Sequence, residues 1–188
     1  MFAALVLQGC GQGDALGVSV GPHEFKIPAR YVLDDQSVFT RYFGGRGFTF
    51  ILNPGASLKE QVIVAVQEEK AACPLGISSQ AREMAYLCAE TSLVDPSPRP
   101  YNAGELKSEP VVADIEWKYV TKPENGAPRT ASSCSRVVEP GALGGYCSAL
   151  GRYEDLVWTL RFREARVRQV PVLAFEVNRL LRSWRRTG

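Results

Sequence analysis

Thiols are the reactive side chains whose number and spacing carry most information in this chain. Cysteines stand at positions 10, 73, 88, 134 and 147, and His23 is the one histidine. No two cysteines have the C-x-x-C spacing of a zinc site, and a single histidine does not build a His-based metal centre. It also leaves little scope for a Ser-His or Cys-His nucleophile pair. No G-x-S-x-G or H-E-x-x-H occurs. Asp114 and Glu116 lie on the polar side of an alternating run, where carboxylates are solvated, and Asp34-Asp35 sits in a turn-like stretch. Gly44, Gly45 and Gly47 have no Walker lysine and no following helix, so they read as a turn and not as a phosphate loop. What remains for the thiols is modification and oxidation to disulfides. No catalysis, no metal and no cofactor is expected.

Cys10 stands apart. It ends the run Leu7-Gln8-Gly9-Cys10, after apolar Phe2 to Val6 and before the tether Gly11-Gln12-Gly13-Asp14. This resembles the end of a bacterial lipoprotein signal, in which such a cysteine takes the lipid. The resemblance implies lipidation of Cys10 and a remnant signal and tether over residues 1–14, with one domain over 15–188. It also implies a periplasmic location; Gly11 in place of an aspartate implies the outer membrane. The plain alternative for these residues is a first strand, Phe2 to Leu7, with a buried thiol at Cys10. No apolar run approaches the roughly 20 residues of a spanning helix, so the membrane would be reached through lipid alone.

With Cys10 lipidated, Cys73, Cys88, Cys134 and Cys147 remain, and an oxidising periplasm pairs them. Four cysteines allow three connectivities. The expected pairs are Cys73–Cys88 and Cys134–Cys147, because each brackets one local supersecondary unit.

The elements that must position these residues follow from periodicity. The chain's 188 residues and 45% hydrophobic content suit one domain with a sizeable core. Leu16 to Val20 and Phe25 to Ile27 alternate as strands, and Pro28 ends the second ladder. Residues 38–52 read as a hairpin whose tip is Gly44-Gly45-Arg46-Gly47. Ser57 to Glu60 fits a capping box, but the β-branched run after it favours a strand over 61–68. Ser79 to Glu90 has helical spacing. Residues 92–110 carry Pro96, Pro98, Pro100 and Pro110 and read as a long loop. Val111 to Val120 alternates as one half-buried strand, 129–137 returns, and Leu156 to Arg163 alternates again, with Arg161 and Arg163 on its polar side. Val170, Ala174, Val177, Leu181 and Trp184 form one apolar stripe of a final helix, with Pro171 in its first turn. Arg179, Arg182, Arg185 and Arg186 near its end suit the helix dipole. The fold class is α+β: an antiparallel sheet of about six to eight strands, a C-terminal amphipathic helix and one further short helix packed on it.

The segment Phe25-Lys26-Ile27-Pro28-Ala29-Arg30-Tyr31, with the tether before it and the helix ending in Trp184, resembles small proteobacterial lipoproteins of the type VI secretion immunity kind. That resemblance implies a non-catalytic protein that binds and neutralises a secreted effector on the periplasmic side; an envelope or secretion-machine assembly component is the alternative. A net charge of +2 argues against nucleic acid as the partner. Rigid aromatic and arginine anchors suit a blocking protein, so Tyr42 and Arg46 at the hairpin tip and Tyr101 in the Pro-rich loop are the candidate contacts. The plain alternative for Tyr42 is a core-facing position in its strand.

Overall fold

The computed structural model describes residues 15–33, 47–72, 93–121, 128–136 and 145–186. In chain order, β1 (Ala15–Val20) and β2 (His23–Pro28) form a hairpin. Then come β3 (Gly47–Ile51), β4 (Ile63–Glu68) and a one-turn helix, α1 (Glu69–Ala72). The second half holds β5 (Leu106–Val112), β6 (Glu116–Thr121), β7 (Arg129–Arg136), β8 (Gly145–Tyr153) and β9 (Leu156–Arg163). A 3-10 segment, Glu164–Gln169, leads into helix α2 (Val170–Trp184).

The class is α+β, as the periodicity implies. Among the described residues, seven strands make one antiparallel sheet in the order β3-β4-β9-β8-β7-β6-β5, and β1-β2 make a second, two-stranded one. Leu156, Trp158, Leu160 and Phe162 of β9 are fully buried on the inner face, while Arg161 stands exposed on the outer one. The core fills the space between that inner face, the β1-β2 hairpin and α2. All five residues of the helical stripe, Val170 to Trp184, are buried. The Trp184 ring meets Phe50 edge-on at 4.9 Å and Tyr31 at 4.9 Å, which fastens the helix end to β3 and to the turn after β2. A backbone bond from Arg186 to Glu24 continues that attachment along β2. No helix among the described residues is long and apolar enough to cross a membrane.

Three local expectations change. The alternating run Val111 to Val120 is not one strand: the chain folds back at Ala113–Ile115, and its two halves pair as β5 and β6. Asp114 takes φ +59°, a left-handed conformation that Asp tolerates better than most residues, and Ile115 N–H closes the turn on Val112 O at 3.1 Å. Alternation persists through so tight a turn, so periodicity alone does not reveal it. The Pro-rich stretch is shorter than residues 92–110, because β5 takes up Leu106 to Pro110 as an edge strand, where a proline is tolerated. Ser57 precedes a single 3-10 turn, Leu58–Glu60, and makes no side-chain cap; the strand that follows is β4. The first half of the expected 38–52 hairpin and the expected helix Ser79 to Glu90 lie outside the described residues.

Candidate functional site

Registers across the sheet put two rows of side chains side by side on its outer face. One row runs Ile63, Arg161, Ser148, Ser133, Lys118, Glu109 from β4 to β5. The next runs Arg163, Tyr146, Ser135, Glu116, Val112. Serines stand in the middle of both rows and longer side chains at their ends. That difference in length hollows the face into an open depression of about 240 Å³, with Ser133, Ser135 and Ser148 within it and Arg161, Tyr146, Glu116 and Val111 around it.

The charges around this groove are unequally committed. Lys118 pairs with Glu109 at 3.3 Å. Arg163 lies over the Tyr146 ring, 4.1 Å from its centroid, and reaches Lys59 O. Arg161 makes no salt bridge and no side-chain hydrogen bond among the described residues. Beside the groove stands the β5-β6 tip, which is apolar and open: Val111, Val112 and Ile115 are 59%, 45% and 57% exposed. Val111 is the extra residue of a bulge between Pro110 and Val112, a device that re-aims a side chain, here onto the groove rim. A backbone bond of 2.9 Å from Arg136 N–H to Ile115 O holds the tip against β7.

Behind the groove, on the core side, Glu164 ties three elements together. Its carboxylate accepts from Trp117 Nε1 at 2.8 Å, Tyr119 OH at 2.7 Å and Gly145 N–H at 3.0 Å. Burial and the Glu164 hydrogen bond together push the Tyr119 phenol up to about 12. Cys134 and Cys147 face each other across β7 and β8 with Cα atoms 4.0 Å apart and their sulfurs at bonding distance.

No family model and no curated protein matches the chain. The fold is similar to the solved structure of an immunity protein of the Stenotrophomonas maltophilia type IV secretion system, with a TM-score of 0.52 and 13% identity over 93% of this chain and 94% of that one. At that identity the likeness is one of fold, and it extends over nearly the whole of both chains.

The residues singled out in the sequence are scattered. Tyr101 is half-buried against the core. Its N–H donates to Arg168 O at 2.9 Å, and Arg168 Nε donates back to Tyr101 O at 3.2 Å. Burial, with Asp95 and Glu105 nearby, pushes its phenol up to about 12. Cys10, Tyr42, Arg46, Cys73 and Cys88 lie outside the described residues. His23 is 5% exposed, turns Nε2 to Asp155, and keeps Nδ1 buried, so neither ring nitrogen is free toward solvent. Of the helix-terminal arginines, Arg179 pairs with Glu176 and Arg185 with Glu154, each at 2.5 Å.

The groove itself was not singled out. Its signal was Ser133-x-Ser135 on one strand and Arg161-x-Arg163 on another, and only strand order makes these neighbours.

Proposed function

We propose that this protein is a non-catalytic immunity protein that binds and neutralises a secreted effector. The full-length likeness of fold to a secretion-system immunity protein is the observation that carries this reading. The only histidine is buried and turned to Asp155 in the β8-β9 turn, which suits a blocking role. That neighbour serves a type IV system, whereas the segment Phe25 to Tyr31 resembles proteins of type VI systems. The proposal therefore stands at the level of a secreted bacterial effector. It includes a periplasmic location with a lipid anchor at Cys10, for which Leu7-Gln8-Gly9-Cys10 is the support, and pairing of Cys73 with Cys88 and of Cys134 with Cys147. Tyr42 and Arg46 stay candidate contacts; Tyr101, half-buried, is a weaker one.

Occlusion needs a rigid surface bearing a few anchors, with no reactive group. Production of the domain in the periplasm with each toxin encoded beside its gene tests the reading. One toxin is expected to be neutralised and to co-purify with the domain. Protection without a complex would point instead to an enzyme acting on the toxin. In cells carrying the full signal, Cys10→Ser is expected to move the protein out of the membrane fraction, and an unchanged distribution removes the anchor.

A further inference from the structure

We propose, resting on the reading of the chain as an effector-binding protein, that the outer-face groove and the β5-β6 tip are one docking surface. Its occupant is an extended segment of the effector that carries a carboxylate with apolar residues beside it. Three observations converge. Arg161 is an exposed guanidinium in the middle of the sheet with no carboxylate partner among the described residues, whereas neighbouring cations on this face, Lys118 and Arg152, are paired. Its neighbours across β8 and β7 are the hydroxyls of Ser148 and Ser133; Ser148 donates to Ser133 O at 3.5 Å, a long bond that a bound anion would replace. A planar guanidinium beside hydroxyl donors matches a carboxylate in two-point geometry. Farther along the same face, Val111, Val112 and Ile115 present apolar surface to water at the tip of a hairpin held by β7.

The spacing defines the ligand. Arg161 on β9 and Val112 on β5 are four strand spacings apart, about 19 Å. An extended segment of about six residues covers that distance. Glu116 on β6 stands one strand from Val112 and three from Arg161, so the segment should carry a hydrogen-bond donor, and no second carboxylate, next to its apolar end. Other outer-face residues, Thr49, Ala65, Gln67 and Val157, are buried, so the open part of the face is the part that carries the groove and the tip.

The experiment measures the affinity of wild type and variants for the toxin that wild type neutralises, by calorimetry with purified domains. Arg161→Glu and the double variant Val111→Ser with Ile115→Ser are each expected to weaken binding at least about tenfold. Arg161→Lys should recover part of the loss, since it keeps the charge without the fork. Phe175→Ser, on α2 beyond the inner face, should bind within about twofold of wild type. Circular dichroism confirms that each variant is folded. If wild type binds and the groove and tip variants bind equally well, this surface is wrong while the immunity reading stands. If no neighbouring toxin is bound or neutralised, the functional reading falls and this assignment falls with it. If wild type is a dimer that the tip variant turns into a monomer without loss of toxin binding, the tip serves self-association and the proposal is overturned.

Discussion

The indole of Trp158 lies across Gly151, its partner between β9 and β8, so closely that a Cβ on Gly151 would stand 2.0 Å from the ring. The same indole donates from Nε1 to Asn178 Oδ1 on α2 at 2.8 Å, so the ring cannot slide away without losing that bond. Gly151 is therefore a packing requirement of the junction between sheet and helix. Gly151→Ala is expected to destabilise the fold by about 1–3 kcal/mol through overpacking, read from the urea midpoint. In a Trp158→Leu background, where the ring is gone, the same alanine should cost much less.

Glu164 holds three donors from β6 and β8 on one carboxylate, and its removal leaves the Trp117 N–H, the Tyr119 hydroxyl and the Gly145 amide without that acceptor. Glu164→Ala should cost about 2–4 kcal/mol, more than a single hydrogen bond is worth, because unsatisfied partners remain. Tyr119 gives an independent readout. Its folded value, about 12, lies above the ordinary 10.0, so the folded state holds that proton more tightly. Stability from this group is complete below pH 10 and is lost as pH rises through the window up to about 12. Glu164→Gln should narrow that window, because it removes the negative charge and leaves burial and a weaker, neutral acceptor to raise the phenol. An NMR titration of the Tyr119 ring checks it.

Strand-forming periodicity was legible wherever one face of an element is buried. Leu156 to Arg163 and the stripe from Val170 to Trp184 read correctly because burial imposes period two on the first and the helical period on the second. The β5-β6 turn was not legible. Val111 and Ile115 are exposed, where the alternating pattern expects them inside, and Val112 beside them is exposed too. Their exposure is what makes the tip a candidate contact. The groove was invisible for another reason. Ser133, Ser148 and Arg161 become neighbours through the strand order β9-β8-β7, which no local pattern encodes. Tyr101 looked like a free loop residue because its anchor, Arg168, is distant in sequence.

Cys134 and Cys147 are directly opposed across β7 and β8 and separated by 13 residues. A cross-link closing a loop of that size stabilises by about 3 kcal/mol in the chain-entropy account. Both residues are buried, with Trp117 and Phe162 as their cross-strand partners on β6 and β9. Non-reducing peptide mapping of protein made in the periplasm should recover the Cys134–Cys147 cross-link. The double variant Cys134→Ala with Cys147→Ala should lose about 3 kcal/mol and lose that part of the response to reductant that this bridge supplies. Recovery of both thiols free, or of either one joined to Cys73 or Cys88, would remove the pairing.

Asp155, in the turn between β8 and β9, receives His23 of β2 and so fastens the N-terminal hairpin to the large sheet. The hydrogen bond from His23 is the main cause that holds its carboxyl below the ordinary 3.8, against the opposing effect of burial, with the nearby Arg185 charge adding a little. A depressed carboxyl favours folding above the unfolded value, and that contribution disappears as pH falls through the folded one. Asp155→Asn should therefore be less stable than wild type between about pH 5 and 7. The gap should close progressively below pH 3.8, where the wild-type carboxyl itself becomes protonated, first in the unfolded chain and then in the folded one. Urea midpoints for both proteins across this range provide the measurement. A gap that stays constant down to pH 3, below the ordinary 3.8, would show that the asparagine acts through packing and that the charge of the Asp155 carboxylate contributes nothing.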